Sequence, residues 1–376
     1  MTLDGKIKLV SCFTEEILTP EELKSLLSKK TPLRHYIGFE ISGPIHLGTG
    51  LVCMQKVKDF ADAGVKVNIL LADWHSWIND KLGGDRKKIK EVALGYFKEG
   101  LKAAYKCVGG GPKDLNFILG SDLYDKNNKY WETVVEASKH ITLSRMKRSI
   151  SILGKEEGEE VDFAKLIYPA MQVADIFVGQ FHFVQAGLDQ RKAHLIARQV
   201  ADKLKISPLL LGKEIVKPVA VHHHLLLGLG KPPIWPIGSD VDKKELWSSL
   251  KMSKSKPESA IFLHDSPEEI KRKITKAFCP EKEVEFNPIV DWVEYLIFVR
   301  ENKILIKRKA EYGGNLTINS IDELKKLFKT GDLHPEDLKN FVVEYLIELI
   351  KPAREHFSKG KPKEMLRDLE LLMKNS

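Results

Sequence analysis

Two stretches of this sequence bring together residue types suited to holding phosphate. The first is Gly38-Phe39-Glu40-Ile41-Ser42-Gly43-Pro44-Ile45-His46-Leu47-Gly48-Thr49, set between a strand-like run, Tyr36–Ile41, and a helix expected from about Ile45. In a parallel α/β sheet, ligands sit beyond the carboxyl ends of the strands, at such strand-to-helix turns. The following helix offers free N–H groups and a positive dipole end to phosphate. Gly48 would let a base or ribose approach the backbone, and His46 can donate to a phosphate oxygen. Taken alone, a His-Leu-Gly triplet is better explained as a structural histidine. The second stretch, Lys251-Met252-Ser253-Lys254-Ser255, follows the last strand-like run in a Gly/Pro/Ser-rich region. Two lysines among small hydroxylic side chains suit a mobile phosphate clamp, although a lone basic string is usually a solvated loop. With the His46 turn at the proper end of an α/β core, the clamp becomes the better explanation.

Tyr168 and Gln172 stand i, i+4 on an expected helix, a spacing that alone means packing. Asp175 extends the same face by three residues and makes it a polar stripe that needs a ligand or a network. The triplet His222-His223-His224 tempts a metal reading, but neighbours on a strand point to opposite faces, so at most His222 and His224 could share an ion. A place under the nucleotide site is the favoured reading. Cys12, Cys53, Cys107 and Cys279 form no CxxC pair and read as reduced thiols.

The His46 turn and the Lys251–Ser255 loop resemble the two signature motifs of class I aminoacyl-tRNA synthetases, and the chain resembles the archaeal and eukaryotic tyrosyl-tRNA synthetases within them. The resemblance rests further on Tyr36–Glu40, Leu71–His75, Tyr168–Asp175, Asp189–Lys192, Ala277–Pro280, Tyr312–Asn315 and His334–Asn340, which follow in family order over nearly the whole chain. It implies activation of L-tyrosine with ATP and transfer of the tyrosyl group to tRNA(Tyr). A carboxylate attacking the α-phosphate needs no general base, so position and charge stabilisation carry the step.

By resemblance, His46, Lys251 and Lys254 are catalytic. Gly48, Thr49, Met252, Ser253 and Ser255 join His46 around ATP. Tyr36 and Asp175 match the pair on the tyrosine hydroxyl. Tyr168, Gln172 and Gln190 match the residues around the α-amino group, and Gly38, Glu40 and His75 line the same pocket. Arg191 matches the residue that checks the first acceptor-stem pair. Tyr312 matches an aromatic that stacks on an anticodon base, and Asp337 a carboxylate that reads the first anticodon base, with His334 beside it. Arg145, Lys147, Arg148 and Lys192 suit RNA phosphates or a solvated face equally. The resemblance also implies Mg2+ accompanying ATP, held mostly by phosphates and water, and a homodimer with residues 110–165 at its interface.

Three departures stand out. Thr49 occupies a position where many class I enzymes have histidine. Tyr124 stands where a pocket glutamine is expected, and that role is not carried over. Residues 225–250, with Pro232-Pro233-Ile234-Trp235-Pro236, form a longer link into the Lys251 loop than is usual.

The elements that must position these groups follow from pattern. The first thirty or so residues look helical, with a start signal at Thr19-Pro20-Glu21-Glu22. Val67–Ala72 is a short apolar run, the mark of a strand buried on both faces. Further strand-like runs are Asn116–Leu119, Phe181–Val184 and Val216–Val221, and helical stretches lie at about 86–107, 130–152 and 162–178. Strands alternating with helices predict an α/β fold, a Rossmann-like parallel-sheet catalytic domain over residues 1–264. From Ser266-Pro267-Glu268-Glu269 onward the pattern is helical, so residues 265–376 are expected to form an all-helical anticodon-binding domain with a C-terminal tail.

Of 376 residues, 43% are hydrophobic, enough for a sizeable core. No apolar run reaches the roughly 18–20 residues of a membrane span, and the start lacks the apolar core of a secretory signal. These bounds exclude membrane, disordered and disulfide-framework proteins and point to the cytoplasm. Sixty basic against 52 acidic residues give +8, which permits a polyanionic partner without requiring one. The nearest rival is a tryptophanyl-tRNA synthetase. Tyr36 with Asp175 speaks against it, since an indole N–H only donates. A catalytically silent RNA-binding module is opposed by the intact His46, Lys251 and Lys254, and a nucleotidyltransferase without tRNA by the Tyr312 and His334–Asn340 segments.

Overall fold

A computed structural model describes residues 1–153 and 162–374. Its centre is a six-stranded sheet. The strands are β1 (Thr14–Leu18), β2 (Arg34–Phe39), β3 (Lys66–Leu71), β4 (Asn116–Leu119) and β5 (Phe183–Gly187), then, after a two-residue ribbon of β6 (Leu210–Leu211) and β7 (Glu214–Ile215), β8 (Val219–His223). The order is β1-β8-β5-β2-β3-β4, parallel throughout except for β1, which runs antiparallel to β8 at the edge. The chain winds from β2 outward to β4, then restarts at β5 on the other side of β2. That reversal makes the junction of β2 and β5 the switch point of a doubly wound sheet.

The parallel strands are apolar runs because both faces are covered; in β3 every residue after Lys66 is buried. The surrounding helices start where their caps dictate. Asp162 accepts from the Lys165 N–H at 3.1 Å and opens the long buried helix Phe163–Val178. Ser266 accepts from the Glu269 N–H at 3.2 Å and opens Pro267–Thr275, where the sequence signal lies. The expected helix over 130–152 is two, Asn128–Lys139 and Leu143–Ser149, the second started by Thr142. The helix expected from Ile45 instead begins with a wide turn at Gly48–Val52 and becomes regular at Cys53–Asp62.

The amino-terminal stretch corrects an expectation. Leu3–Ser11 and Pro20–Ser28 are helical, but Thr14–Leu18 between them is the strand β1. Its Thr-Glu-Glu-Ile-Leu composition favours helix, and pairing with β8 overrides that propensity.

Beyond residue 264 helices dominate, ending in Pro335–Leu349, Lys351–Phe357 and Gly360–Lys374. They share the region with a small ribbon, β9 (Ile304–Ile306) and β10 (Leu316–Ile318), two triplets each with two β-branched residues, which pair across the turn containing Gly313 and Gly314. One apolar core runs from Val10 through Ile45 and Leu263 to Trp292, Phe328 and Leu369, so the helical part packs directly on the sheet part. The last helix returns to the sheet end, where Met373 lies against Gly43. The segment 110–165 expected at a dimer interface includes residues 154–161, which lie outside the described residues.

Phe183, on β5, is fully buried with its ring 5.3 Å from that of Phe60. Phe183→Ala should cost about 3–5 kcal/mol, the usual loss for emptying a core aromatic. Urea unfolding checks it, and a loss well below that range would mean the sheet face can collapse around the gap.

Candidate active site

Beyond the carboxyl ends of β2 and β5 a cleft of about 420 Å3 opens at the switch point. The expected amino-acid residues Tyr36, Gly38, Glu40, His75, Tyr168, Gln172, Asp175 and Gln190 all line it. So do His46, Gly48, Thr49, Lys251, Met252, Ser253 and Lys254. Ser255, expected beside ATP, is exposed and not part of the lining, its hydroxyl 2.9 Å from that of Ser253.

At one end Asp175 is fully buried on the helix Phe163–Val178. Burial pushes its carboxyl up to about 7, against the hydroxyls of Tyr124, Tyr130 and Tyr36. Tyr130 donates to Asp175 Oδ1 at 3.0 Å. Oδ2 finds no hydrogen-bond partner among the described residues, and neither does His75 Nε2, 3.7 Å away. Orphaned buried polar atoms of this kind are costly, and two of them facing one cavity mark the place of a polar ligand group. Tyr124 stands 3.3 Å from His75 Nδ1, behind the lining. Gly38 is needed here, since a Cβ on it would lie 2.7 Å from the Tyr36 hydroxyl.

Midway along the cleft, Glu40 gathers Tyr168, whose hydroxyl donates at 2.9 Å, Asn79 at 2.9 Å and Lys81 at 3.4 Å. Gln190 donates to the Ile152 carbonyl at 2.9 Å, and Gln172 Oε1 is another buried acceptor with no partner among the described residues. A carboxylate and a free amide oxygen lining one cleft can hold an ammonium group.

At the other end, the His46 turn is pinned by pairing with Phe262, with Leu47 N–H donating to Ile261 C=O at 3.0 Å. Thr49 Oγ1 lies 3.2 Å from His46 Nε2. Burial, with Lys254 and Lys251 adding to it, depresses the His46 imidazole to about 3. Lys251 pairs with Asp189, and Lys254 donates to Ser42. Burial lowers Lys254 to about 8. Asp189 and Ser42 are functional neighbours that sequence reasoning missed; Asp189 lies inside the Asp189–Lys192 segment, the one signal that could have found it.

The histidine triplet divides as strand geometry requires. His222 Nδ1 lies 2.9 Å from Glu16 and its other nitrogen 2.9 Å from His194. His223 meets Gln185 at 3.3 Å and Cys53 at 3.3 Å beneath the cleft. His224 is flanked by Glu15 and Asp291. Among the described residues no cluster of three histidine, cysteine or carboxylate side chains could hold a metal ion.

The remaining expected residues lie outside the cleft. Arg191 Nε–H is shared between the two carboxylate oxygens of Glu16 at 2.9 and 2.8 Å, and the side chain stays 42% exposed. Lys192 donates to the Arg148 carbonyl at 2.9 Å. His334 caps the helix Pro335–Leu349, its Nδ1 accepting from Glu336 N–H at 3.2 Å, and Asp337 sits half-buried in the first turn. Tyr312 ends the turn Ala310–Tyr312, and its side chain lies outside what is described. Arg308, which sequence reasoning did not single out, donates to Gly314 C=O at 2.9 Å and to Asp332 C=O at 2.7 Å. It thereby ties the Tyr312 turn to the start of the His334 helix.

Known proteins share this arrangement. The profile of the family described as tRNA synthetases class I (W and Y) matches residues 28–351. The chain belongs to that family. It is 57% identical over 374 residues to the tyrosine–tRNA ligase of Thermococcus kodakarensis, covering 99% of this chain and 100% of that one. It is 55% identical to the tyrosine–tRNA ligase of Pyrococcus abyssi over the same shares. The tyrosyl-tRNA synthetase of Pyrococcus horikoshii, solved with L-tyrosine, superposes with a TM-score of 0.94 at 54% identity, covering 98% of this chain and 100% of that one. As an aminoacyl-tRNA synthetase of this family the protein is a ligase that consumes ATP.

The buried histidines of this synthetase generate a pH prediction. Burial depresses His35, His75 and His223 to about 3, far below the ~6.5 of an unfolded chain. Below pH 6.5 the unfolded state takes up protons that the native state refuses. The stability they carry is therefore full above pH 6.5 and falls as pH drops toward 3, by at most about 1.4 kcal/mol per pH unit for each ring. Urea unfolding between pH 7 and 5 should show this slope, and His35→Asn should reduce it by about one proton. An unchanged slope would mean that His35 titrates normally in the folded protein.

Proposed function

We propose that the protein is a tyrosine–tRNA ligase that makes tyrosyl-adenylate and transfers the tyrosyl group to tRNA(Tyr). The observation that carries the reading is the buried end of the cleft. A phenol hydroxyl both donates and accepts, and Asp175 Oδ2 is a waiting acceptor with the Tyr36 hydroxyl beside the same carboxylate. An indole N–H would use the acceptor alone, so the tryptophan alternative is disfavoured. The Thermococcus and Pyrococcus relatives, including the one solved with L-tyrosine, carry the tyrosine name.

On this reading Glu40, Tyr168, Gln172 and Gln190 hold the α-amino group, with Gly38 and His75 shaping the pocket. The substrate carboxylate attacks the α-phosphorus and pyrophosphate leaves. His46, Gly48 and Thr49 bind the nucleotide, with Met252, Ser253 and Ser255 forming the loop that carries Lys251 and Lys254. Those lysines leave Asp189 and Ser42 for the departing pyrophosphate, a contact that raises the rate because it strengthens in the transition state. A ribose hydroxyl at the tRNA end then attacks the acyl carbon and AMP leaves. Arg191 checks the acceptor stem, while Tyr312, His334 and Asp337 read the anticodon. Mg2+ would accompany ATP, held mostly by its phosphates and by water, and would offset phosphate charge there.

The protein works in the cytoplasm as a homodimer. No helix among the described residues is long and apolar enough to cross a membrane, and the exposed Leu143 and Phe163 lie within the 110–165 segment expected at the dimer interface.

ATP–pyrophosphate exchange with each of the twenty amino acids tests the reading. Exchange with tyrosine alone, without tRNA, is expected; exchange with tryptophan would keep the fold and overturn the substrate. Asp175→Ala should abolish selectivity for tyrosine over phenylalanine, which is already known to reach about 10⁵ in a tyrosyl-tRNA synthetase. Selectivity ratios from kcat/KM measure it, and retained selectivity would remove Asp175 from the phenol.

A further inference from the structure

The loop that carries Lys251 and Lys254 hangs from the segment just after β8. Met252 N–H donates to Leu226 C=O at 2.6 Å, and Gly228 N–H to Leu250 C=O at 2.9 Å. Leu227 and Lys251 face each other between these two bonds as a non-hydrogen-bonded antiparallel pair. In such a pair the backbone N–H and C=O point away from the partner strand. Those of Leu227 are taken by the helical part of the protein. Leu227 N–H donates to Asp291 Oδ2 at 2.9 Å, and Leu227 C=O accepts from Trp292 Nε1 at 2.8 Å.

Asp291 is itself held in place. Its Oδ1 accepts from His224 Nε2 at 2.6 Å, while His224 Nδ1 faces Glu15 of β1. The Tyr295 ring stacks on the imidazole at 3.5 Å and its hydroxyl donates to Glu15 at 3.2 Å. With a carboxylate on each nitrogen the ring is an imidazolium, raised to about 9 by Asp291 and Glu15 against the cost of burial. Asp291 does not line the cleft, so it cannot touch a substrate there.

We propose that Asp291 and His224, with Trp292, are positioning residues that fix the root of the Lys251–Ser255 loop and so place both lysines for pyrophosphate departure. The inference rests on the tyrosine-activation reading above. It assigns the third histidine of the triplet, which borders the cleft, a task carried out through Asp291 behind the lining. It also makes the helical part a component of the activation step, independent of any contact it makes with tRNA.

The test is pyrophosphate exchange beside equilibrium dialysis with labelled tyrosine. Asp291→Ala should lower kcat by about ten- to a hundredfold, the effect expected of an ångström-scale misplacement. Tyrosine affinity should not change, because Asp175 and Glu40 belong to other elements. Asp291→Asn, which keeps an acceptor for Leu227 and a partner for His224, should restore kcat to within about threefold of wild type. Trp292→Phe keeps the apolar bulk and removes only the bond to Leu227, so it serves if Asp291→Ala does not fold; it too should lower kcat with tyrosine binding intact. A lowered melting temperature with wild-type kcat in either variant, or equal losses in kcat and tyrosine affinity, would overturn the proposal. If the wild type itself shows no tyrosine-dependent exchange, the proposed function falls; if it exchanges and Asp291→Ala matches it, only this inference falls.

Discussion

Strand order is the constraint on which the site depends. From β2 the chain moves outward through β3 to β4, and from β5 it moves the other way to β8. Crossovers of one hand then carry the following helices to opposite faces of the sheet, and a crevice must open where they part. The amino-acid end of the cleft is placed by this parting. Tyr36, Gly38 and Glu40 sit on or just past β2, and Asp189 and Gln190 just past β5. The helix Phe163–Val178, which runs into β5, presents Tyr168, Gln172 and Asp175 from the side.

The crevice is electrically graded. Its inner end holds carboxylates among tyrosine hydroxyls, and its outer end holds His46 and the two lysines. Like charges at the outer end would repel in the absence of phosphate, and burial adds a desolvation cost. The protein answers by leaving His46 neutral, pairing Lys251 with Asp189 and giving Lys254 the Ser42 hydroxyl. None of these is a tight cage. Asp189 and Ser42 both lie just past strand ends and line the cleft.

Much of this was legible in the sequence because the chemistry demands particular residue types at particular spacings. The His46 turn, the Lys251–Ser255 loop and the Tyr168–Asp175 stripe are local patterns, and local patterns survive in one dimension. The strand β1 did not, since Glu15, Glu16 and Leu18 favour helix and only pairing with β8 makes them extended. Ser42 and Lys254 are 212 residues apart and Asp189 and Lys251 are 62 apart, so neither partnership leaves a trace in spacing. Arg308 escaped notice because its work is done on backbone carbonyls, which any sequence offers. The helical part was legible as helices, but the short triplets of β9 and β10 carry too little periodicity to declare themselves.

The histidine triplet shows how far environment can separate identical side chains. His223 and His224 are neighbours, yet burial among Gln185 and Cys53 drives one down to about 3 while two carboxylates raise the other to about 9. The alternation of a strand supplies the first half of that difference by turning His223 under the cleft toward Gln185. The second half comes from Glu15 on β1 and from Asp291, which belongs to the helix Pro288–Trp292. Docking the helical part therefore adds a second carboxylate to the one the sheet already offers His224. Docking buries Asp291, and a buried carboxylate in turn requires a cation and hydrogen-bond donors. His224 supplies the cation and Leu227 a donor, so the ion pair that secures the helical part on the sheet also fixes the backbone from which the lysine loop hangs.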